Sequence, residues 1–140
     1  MLQAIVMVES GQGHKAHPYA INLRGKAYYP KTAREALKIV TKEDGSIEPA
    51  DIGCGQISMR YHLKGMNGDP KWALDPNYNL AYAAHLLIEN YQRHGTWTKA
   101  VAHYHSGKID RQWAYVCRVL RKMQKIQQRT FPMPDQCGKL

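Results

Sequence analysis

Residues Asp75–Gly95 read DPNYNLAYAAHLLIENYQRHG, and the fold turns on how this stretch is read. Aspartate followed by proline is a strong helix start: the carboxylate caps free backbone donors and Pro76 suits the first helical position. Leu80, Ala84, Leu87 and Tyr91 then recur at helical spacing, and Gly95 supplies a stop. The segment predicts an amphipathic helix that lays one apolar stripe on a core.

Downstream, Thr96 to His105 predicts a second helix stopped by Gly107. Asp110 to about Arg129 predicts a long one, with Trp113, Val116, Cys117, Leu120 and Met123 inside and Pro132 and Pro134 ending it. Upstream, Ile52–Ile57 carries two glycines and no helical stripe, so it reads as a tight loop entering a short helix from Ser58 to Lys64. Thr32 to Thr41 is a further helix. Thr32 and Glu35 have capping-box spacing, and Ala36, Leu37 and Val40 face inward. Asp44-Gly45-Ser46 turns the chain. Leu2, Ile5, Val6 and Val8 form the last turns of an apolar helix stopped by Gly11 and Gly13, with Glu9 near its end. Gly11 to Pro30 shows no clear periodicity and reads as a surface loop. The expected class is mostly α, with any β limited to residues 42–57.

A length of 140 residues favours one domain, and 44% hydrophobic with 22% charged residues excludes disorder or a fibrous repeat. Lys and Arg number 20 against 11 Asp and Glu, and the resulting charge of +9 favours a polyanionic partner: nucleic acid, anionic lipid or cell-wall polymer. The longest apolar run, Ala4–Val8, is far short of the roughly 18 residues of a helical membrane span. No basic residue precedes Lys15 and the apolar run is too short for a secretory signal, so any export signal is expected to have been removed or to lie upstream. Cys54, Cys117 and Cys137 allow at most one internal bridge. Cys117 with Cys137 would tie the tail to the last helix, but Cys54 could pair with either. His14/His17 and His103/His105 lack the spacing of a metal site, and no metal is expected.

Glu9 is the first candidate for chemistry. Desolvation beside an apolar helix favours the protonated form of a carboxyl group, as a general acid requires; a solvated helix end is the plain alternative. Gln56 could hydrogen-bond a ligand amide or hydroxyl, or cap its own loop. Tyr104 could present its phenol to the same space, or pack in the core.

The order of these pieces says more than each alone. Glu9-Ser10, Pro18–Asn22, Asp51–Ile57 and His103–Gly107 together resemble the soluble lytic transglycosylase family of the lysozyme superfamily, over nearly the whole chain. That family has an ES pair holding the catalytic glutamate, a G-L-M-Q-[IL] loop lining the sugar groove, and an A-Y-N-x-G segment contributing a tyrosine. They stand here as Glu9-Ser10, Gly53-Cys54-Gly55-Gln56-Ile57 and His103-Tyr104-His105-Ser106-Gly107. Gly25–Tyr29, Glu35-Ala36, Arg60–His62 and Leu74–Asn79 are similar to the branch associated with conjugation and type IV secretion machines.

The resemblance implies a lysozyme-like orthogonal helical bundle over residues 1–130, with a tail at 131–140. It implies cleavage of the β-1,4 bond between N-acetylmuramic acid and N-acetylglucosamine in peptidoglycan, with Glu9 and Tyr104 catalytic in one shared cleft. Ser10, Asn22, Gly53, Gln56, Ile57, His103 and His105 would bind the glycan strand. Glu9 would first protonate the leaving oxygen and then take the proton of the muramic C6 hydroxyl, closing a 1,6-anhydro ring without water. Ordinary glycosidases use two carboxylates about 5–9.5 Å apart. Here Asp51 is the only nearby second acid, and it could equally cap the loop. The implied location is the periplasm or cell envelope, and the implied partners are glycan strands and components of a secretion or conjugation machine. No cofactor, metal or nucleic acid is expected.

Three departures stand out. Cys54 and Gly55 replace the family's Leu and Met, so the apolar wall must come from elsewhere, with Met59 and Ile57 the candidates. His103 and His105 replace Ala and Asn and would respond to pH. Only eight residues precede Glu9, where the family's catalytic helix is usually longer. The competing readings are a hydrolytic lysozyme using the same Glu9, a structural assembly factor with residual glycan binding, and a nucleic-acid-binding domain. The last would use Arg111, Arg118, Arg121, Lys122, Lys125 and Arg129, but those charges fall around much of the helix and no recognition-helix motif precedes it.

Overall fold

In a computed structural model the described residues are 1–139. In chain order they form α1 (Leu2–Ser10), β1 (Gly11–Gln12), β2 (Lys15–Ala16), β3 (Ile21–Leu23), β4 (Lys26–Tyr28), α2 (Ala33–Val40), β5 (Asp51–Ile52), β6 (Ile57–Ser58), α3 (Met59–His62), α4 (Lys71–Leu74), α5 (Pro76–His94), α6 (Trp97–His105) and α7 (Ile109–Gln127). Short 3-10 turns follow at Leu63–Met66 and Asp135–Lys139. The protein is mostly helical, as expected, with small antiparallel sheets.

β5 and β6 lie in or at the edge of the 42–57 stretch where β structure was expected, whereas β1 to β4 lie outside it, where a surface loop was expected. β1 pairs with β2, and β3 and β4 are half of a four-stranded antiparallel sheet ordered β4-β3-β5-β6. Strands of two or three residues are too short to show a period of two, which is why Gly11–Pro30 looked patternless. The β3–β4 turn is Arg24-Gly25, with φ of 54° and 82°, the paired positive values of a two-residue hairpin turn. Asn-Gly or Asp-Gly is the familiar signal for it, and Arg24 hides it.

The chain forms two compact units: Met1–Val8 with the chain from Ala84 onward, and Glu9–Ala83. The first, the helical unit, buries Ile5, Leu87, Val101, Tyr115, Val116 and Val119 in one apolar core, with α6 packed along α7. Trp113, Leu120 and Met123 pack partly buried against it, as their spacing suggested, while Tyr115 and Val119 join unforeseen. A disulfide joins Cys117 to Cys137, and Arg121 Nη2 donates to the Cys137 carbonyl at 2.9 Å, so the segment after α7 is fastened to that helix. Cys54 is free and buried. α7 stops at Gln127 because Gln128 takes a left-handed conformation (φ 51°), ahead of both prolines.

The second, the sheet unit, holds the four-stranded sheet, α2, α3 and α4. α2 begins with the expected threonine cap, Thr32 Oγ1 accepting from Glu35 N at 3.1 Å, while the return bond of the capping box is displaced by one residue: Glu35 Oε2 accepts from Lys31 N at 2.8 Å, ahead of the cap. The helix expected over 58–64 is one α turn, α3, running into a 3-10 turn that left-handed Asn67 (φ 54°) and Gly68 (φ 76°) close. α5 starts as read, with Asp75 Oδ1 accepting from Tyr78 N at 2.8 Å. Its inner stripe is rotated from the expected one. Asn79, Ala83 and Leu87 are buried, while Leu80 and Tyr91 are 40% and 37% exposed. An asparagine occupies a core position, so hydrophobicity alone put the stripe one residue late. No helix among the described residues is long and apolar enough to cross a membrane.

Candidate active site

In the sheet unit, α1 ends at Glu9, half-buried, and Ser10, buried. Ser10 Oγ donates to the Cys54 carbonyl at 2.9 Å, and Ser10 O accepts from His17 N at 3.0 Å. The end of the helix is thereby tied to the loop 44 residues on.

That loop, Gly53–Gln56, joins β5 to β6 across the Ile52–Ile57 pair. Gly53 has φ +80°, and a Cβ there would run into the Asn79 amide and lie 2.9 Å from the Ala73 carbonyl, so only glycine fits. Gln56 is also left-handed, at φ 49°. Its Nε2 donates to the Ala20 and Gly53 carbonyls at 3.1 and 3.0 Å, so the loop-capping use of Gln56 is present and its amide oxygen is what remains for a ligand.

Asn79 organises this loop, and sequence reasoning missed it. With 0% exposure, it donates through Nδ2 to Ile52 O (2.9 Å) and Ala73 O (2.8 Å), and accepts at Oδ1 from Gly55 N (2.8 Å) and Cys54 Sγ (3.3 Å). Every strong hydrogen-bonding site of its amide is matched, the condition under which a buried polar side chain stabilises a single arrangement. The signal was one polar residue at i, i+4, i+8 spacing with Ala83 and Leu87. Burial pushes the Cys54 thiol up from its ordinary value, against lowering by backbone hydrogen bonds at Gly55 and Cys54 itself.

Other expected residues land differently. Asn22 is exposed, and its Oδ1 accepts from Gly25 N at 3.0 Å, bracing the β3–β4 turn. Ile57 and Met59, the two candidates for an apolar groove wall, are 1% and 3% exposed and belong to the core. Asp51 sits half-buried in β5, across from Asn22 and Ser58. A row of rings in the same unit was not foreseen. Trp72 meets Tyr78 at 5.1 Å, Tyr78 stacks on Tyr82 at 5.9 Å, and Tyr82 meets His62 edge-on at 5.4 Å, with its hydroxyl 3.2 Å from Nδ1.

Tyr104, His103 and His105 lie on α6 in the helical unit. Tyr104 is half-buried and packs against the apolar core. His103 stacks on His94 with ring centres 3.7 Å apart, and His105 stacks on Tyr115 at 4.4 Å. No group of three His, Cys, Asp or Glu among the described residues is arranged to hold a metal ion. No protein-family profile, curated protein or solved structure gives a significant match to the chain.

Proposed function

We propose that the chain is a peptidoglycan lytic transglycosylase with a lysozyme-like arrangement of helices, acting in the cell envelope alongside a secretion or conjugation machine. One observation carries the reading. The Ser10 hydroxyl bonds the Cys54 carbonyl, so the ES pair and the Gly-x-x-Gln-Ile loop, far apart in sequence, are neighbours. Glu9 stands half-buried at the helix end, directly before the Ser10 that is bonded to the loop.

In this reading Glu9 protonates the glycosidic oxygen between the muramic residue and the next sugar as positive charge builds at the anomeric carbon. The same carboxylate then removes the proton of the C6 hydroxyl. That oxygen bonds to the anomeric carbon, and the product ends in 1,6-anhydromuramic acid. Ser10, buried and bonded to the loop, positions Glu9. The amide oxygen of Gln56 accepts from a sugar hydroxyl or acetamido group, and the net charge of +9 draws the enzyme to an anionic wall.

The test is product analysis of purified sacculi digested by the wild-type and Glu9→Gln proteins. Wild type should release anhydro-ended muropeptides, and Glu9→Gln should lose about 10²-fold or more in rate while remaining folded. Products one water heavier would make the protein a hydrolytic lysozyme instead. Undiminished turnover in Glu9→Gln would overturn the assignment of the acid.

A further inference from the structure

The end of α5 and the facing sides of α6 and α7 line a half-open cavity of about 430 Å³ in the helical unit, a size suited to a small ligand. Ala102, Ile109, Trp113 and Val116 form its apolar wall. Thr98, Lys99, Gln112 and the stacked pair His94 and His103 supply the polar side. No carboxylate is among its lining residues, where Lys99 and the two histidines are the titratable groups; Asp110, next in sequence to Ile109, is not part of that lining. Two imidazoles with ring centres 3.7 Å apart and planes within 7° repel if both are charged. The His94 imidazole is held below its ordinary pKa, first by partial desolvation and then by His103, Arg93 and Lys99. Arg93 on α5 and Lys99 on α6 act on the pair, and on α7 the uncharged Gln112 donates through Nε2 to Ser106 O at 2.9 Å and lies 3.4 Å from His103 Nδ1, with Asp110 two residues earlier on the same helix.

Cationic and imidazole side chains lining a pocket opposite an apolar wall are complementary to a carboxylate carried on a small apolar body. We propose that this cavity binds the free carboxylate end of a short alanyl peptide, with Lys99 and the His94–His103 pair taking the carboxylate and Trp113, Ile109 and Val116 the methyl groups. Naming that peptide as the D-alanyl end of a peptidoglycan stem rests on the function proposed above. The enzyme then recognises the stem as well as the glycan.

The test is titration of the full chain with N-acetyl-D-alanyl-D-alanine, its C-terminal amide, the L,L isomer and sodium acetate, followed by histidine and tryptophan NMR signals. Saturable shifts at His94, His103 and Trp113 are expected with the D,D acid, with affinity lower by about tenfold for the amide, the usual size of a lost charged hydrogen bond. His94 should titrate at higher pH in the complex, because a bound carboxylate favours imidazolium. Lys99→Gln, a surface change, should weaken binding about as much as amidation, and Ala102→Leu should abolish it by filling the cavity. Equal binding of acid and amide, shifts no larger than acetate gives, or equal binding of the L,L isomer would each overturn the proposal. Glycan cleavage without dipeptide binding would sink this inference alone, and dipeptide binding without cleavage would sink the enzymatic reading alone.

Discussion

The two units are held together by different physics. The helical unit buries a continuous apolar cluster and adds a covalent tie between Cys117 and Cys137. The sheet unit is organised around one buried amide, Asn79, whose four hydrogen bonds set the path of the Gly53–Gln56 loop. Apolar packing is redundant, because many contacts share the stabilisation and most single changes are partly absorbed. A buried polar network is not redundant, since removing its hub leaves several groups dry and unpaired. The loop bonded to Ser10 should therefore be the part of the molecule most sensitive to single substitutions.

The largest effect is expected at that hub. Asn79→Leu removes all four of these bonds from a dry site at once, and at about 1 kcal/mol each it should lower unfolding stability by at least about 3 kcal/mol in urea titration. Gly53→Ala and Gly25→Ala sharpen the point. Both glycines are left-handed, at φ 80° and 82°, so both changes carry a strain of about 1–2 kcal/mol. Nothing lies within 4 Å of a Cβ at Gly25, whereas one at Gly53 meets Asn79 and Ala73, so Gly53→Ala should be clearly the worse. Equal losses would mean that the hub yields easily and that the contrast between the units is wrong.

In the helical unit the corresponding change is Cys137→Ser. Opening a disulfide with a sequence separation of 20 should cost about 3 kcal/mol on the loop-closure argument, read as a fall in thermal midpoint that dithiothreitol reproduces in wild type but not in the variant. Cys54 supplies an internal control. Burial keeps its thiol protonated, so iodoacetamide at neutral pH should label it only under conditions that unfold the sheet unit.

What the sequence revealed follows the same division. α1, α2, α5, α6 and α7 were legible because amphipathic spacing, Thr32, Asp75-Pro76 and Gly95 act within a few residues of one another. The mostly helical class followed from them. Of the strands, only the region of β5 and β6 was anticipated; β1 to β4 were not legible, because pairs such as Ile21 with Ile52 are long-range and each strand is too short to carry its own pattern. Cysteine pairing was open until Cys117 and Cys137 were seen adjacent. At the site, Glu9, Ser10 and the Gly53–Ile57 loop could be named as motifs, but Asn79 could not, because a buried hub is defined by groups that converge from distant positions. Ile57 and Met59 were misplaced for a related reason: an apolar residue in a short strand or a single helical turn serves the core as readily as a groove.

The smallest contrast is between two threonine caps, one in each unit. Thr32 accepts from Glu35 N at 3.1 Å and Thr96 from Lys99 N at 3.3 Å, so Thr32→Ala and Thr96→Ala should each cost about 1 kcal/mol. Their surroundings differ in one respect. Glu35 returns a bond to Lys31 N, while the matching position in α6 is Lys99, whose ammonium cannot accept a hydrogen bond. Glu35→Ala should therefore add a loss of a few tenths of a kcal/mol to about 1 kcal/mol in the sheet unit. Lys99→Glu should gain stability in the helical unit, both by completing the box and by placing negative charge in the first turn of α6. Urea midpoints that move in opposite directions for these two substitutions would show that local capping works the same way under both kinds of packing. A loss for Lys99→Glu would show instead that the positive field beside His94 and His103 outweighs the cap.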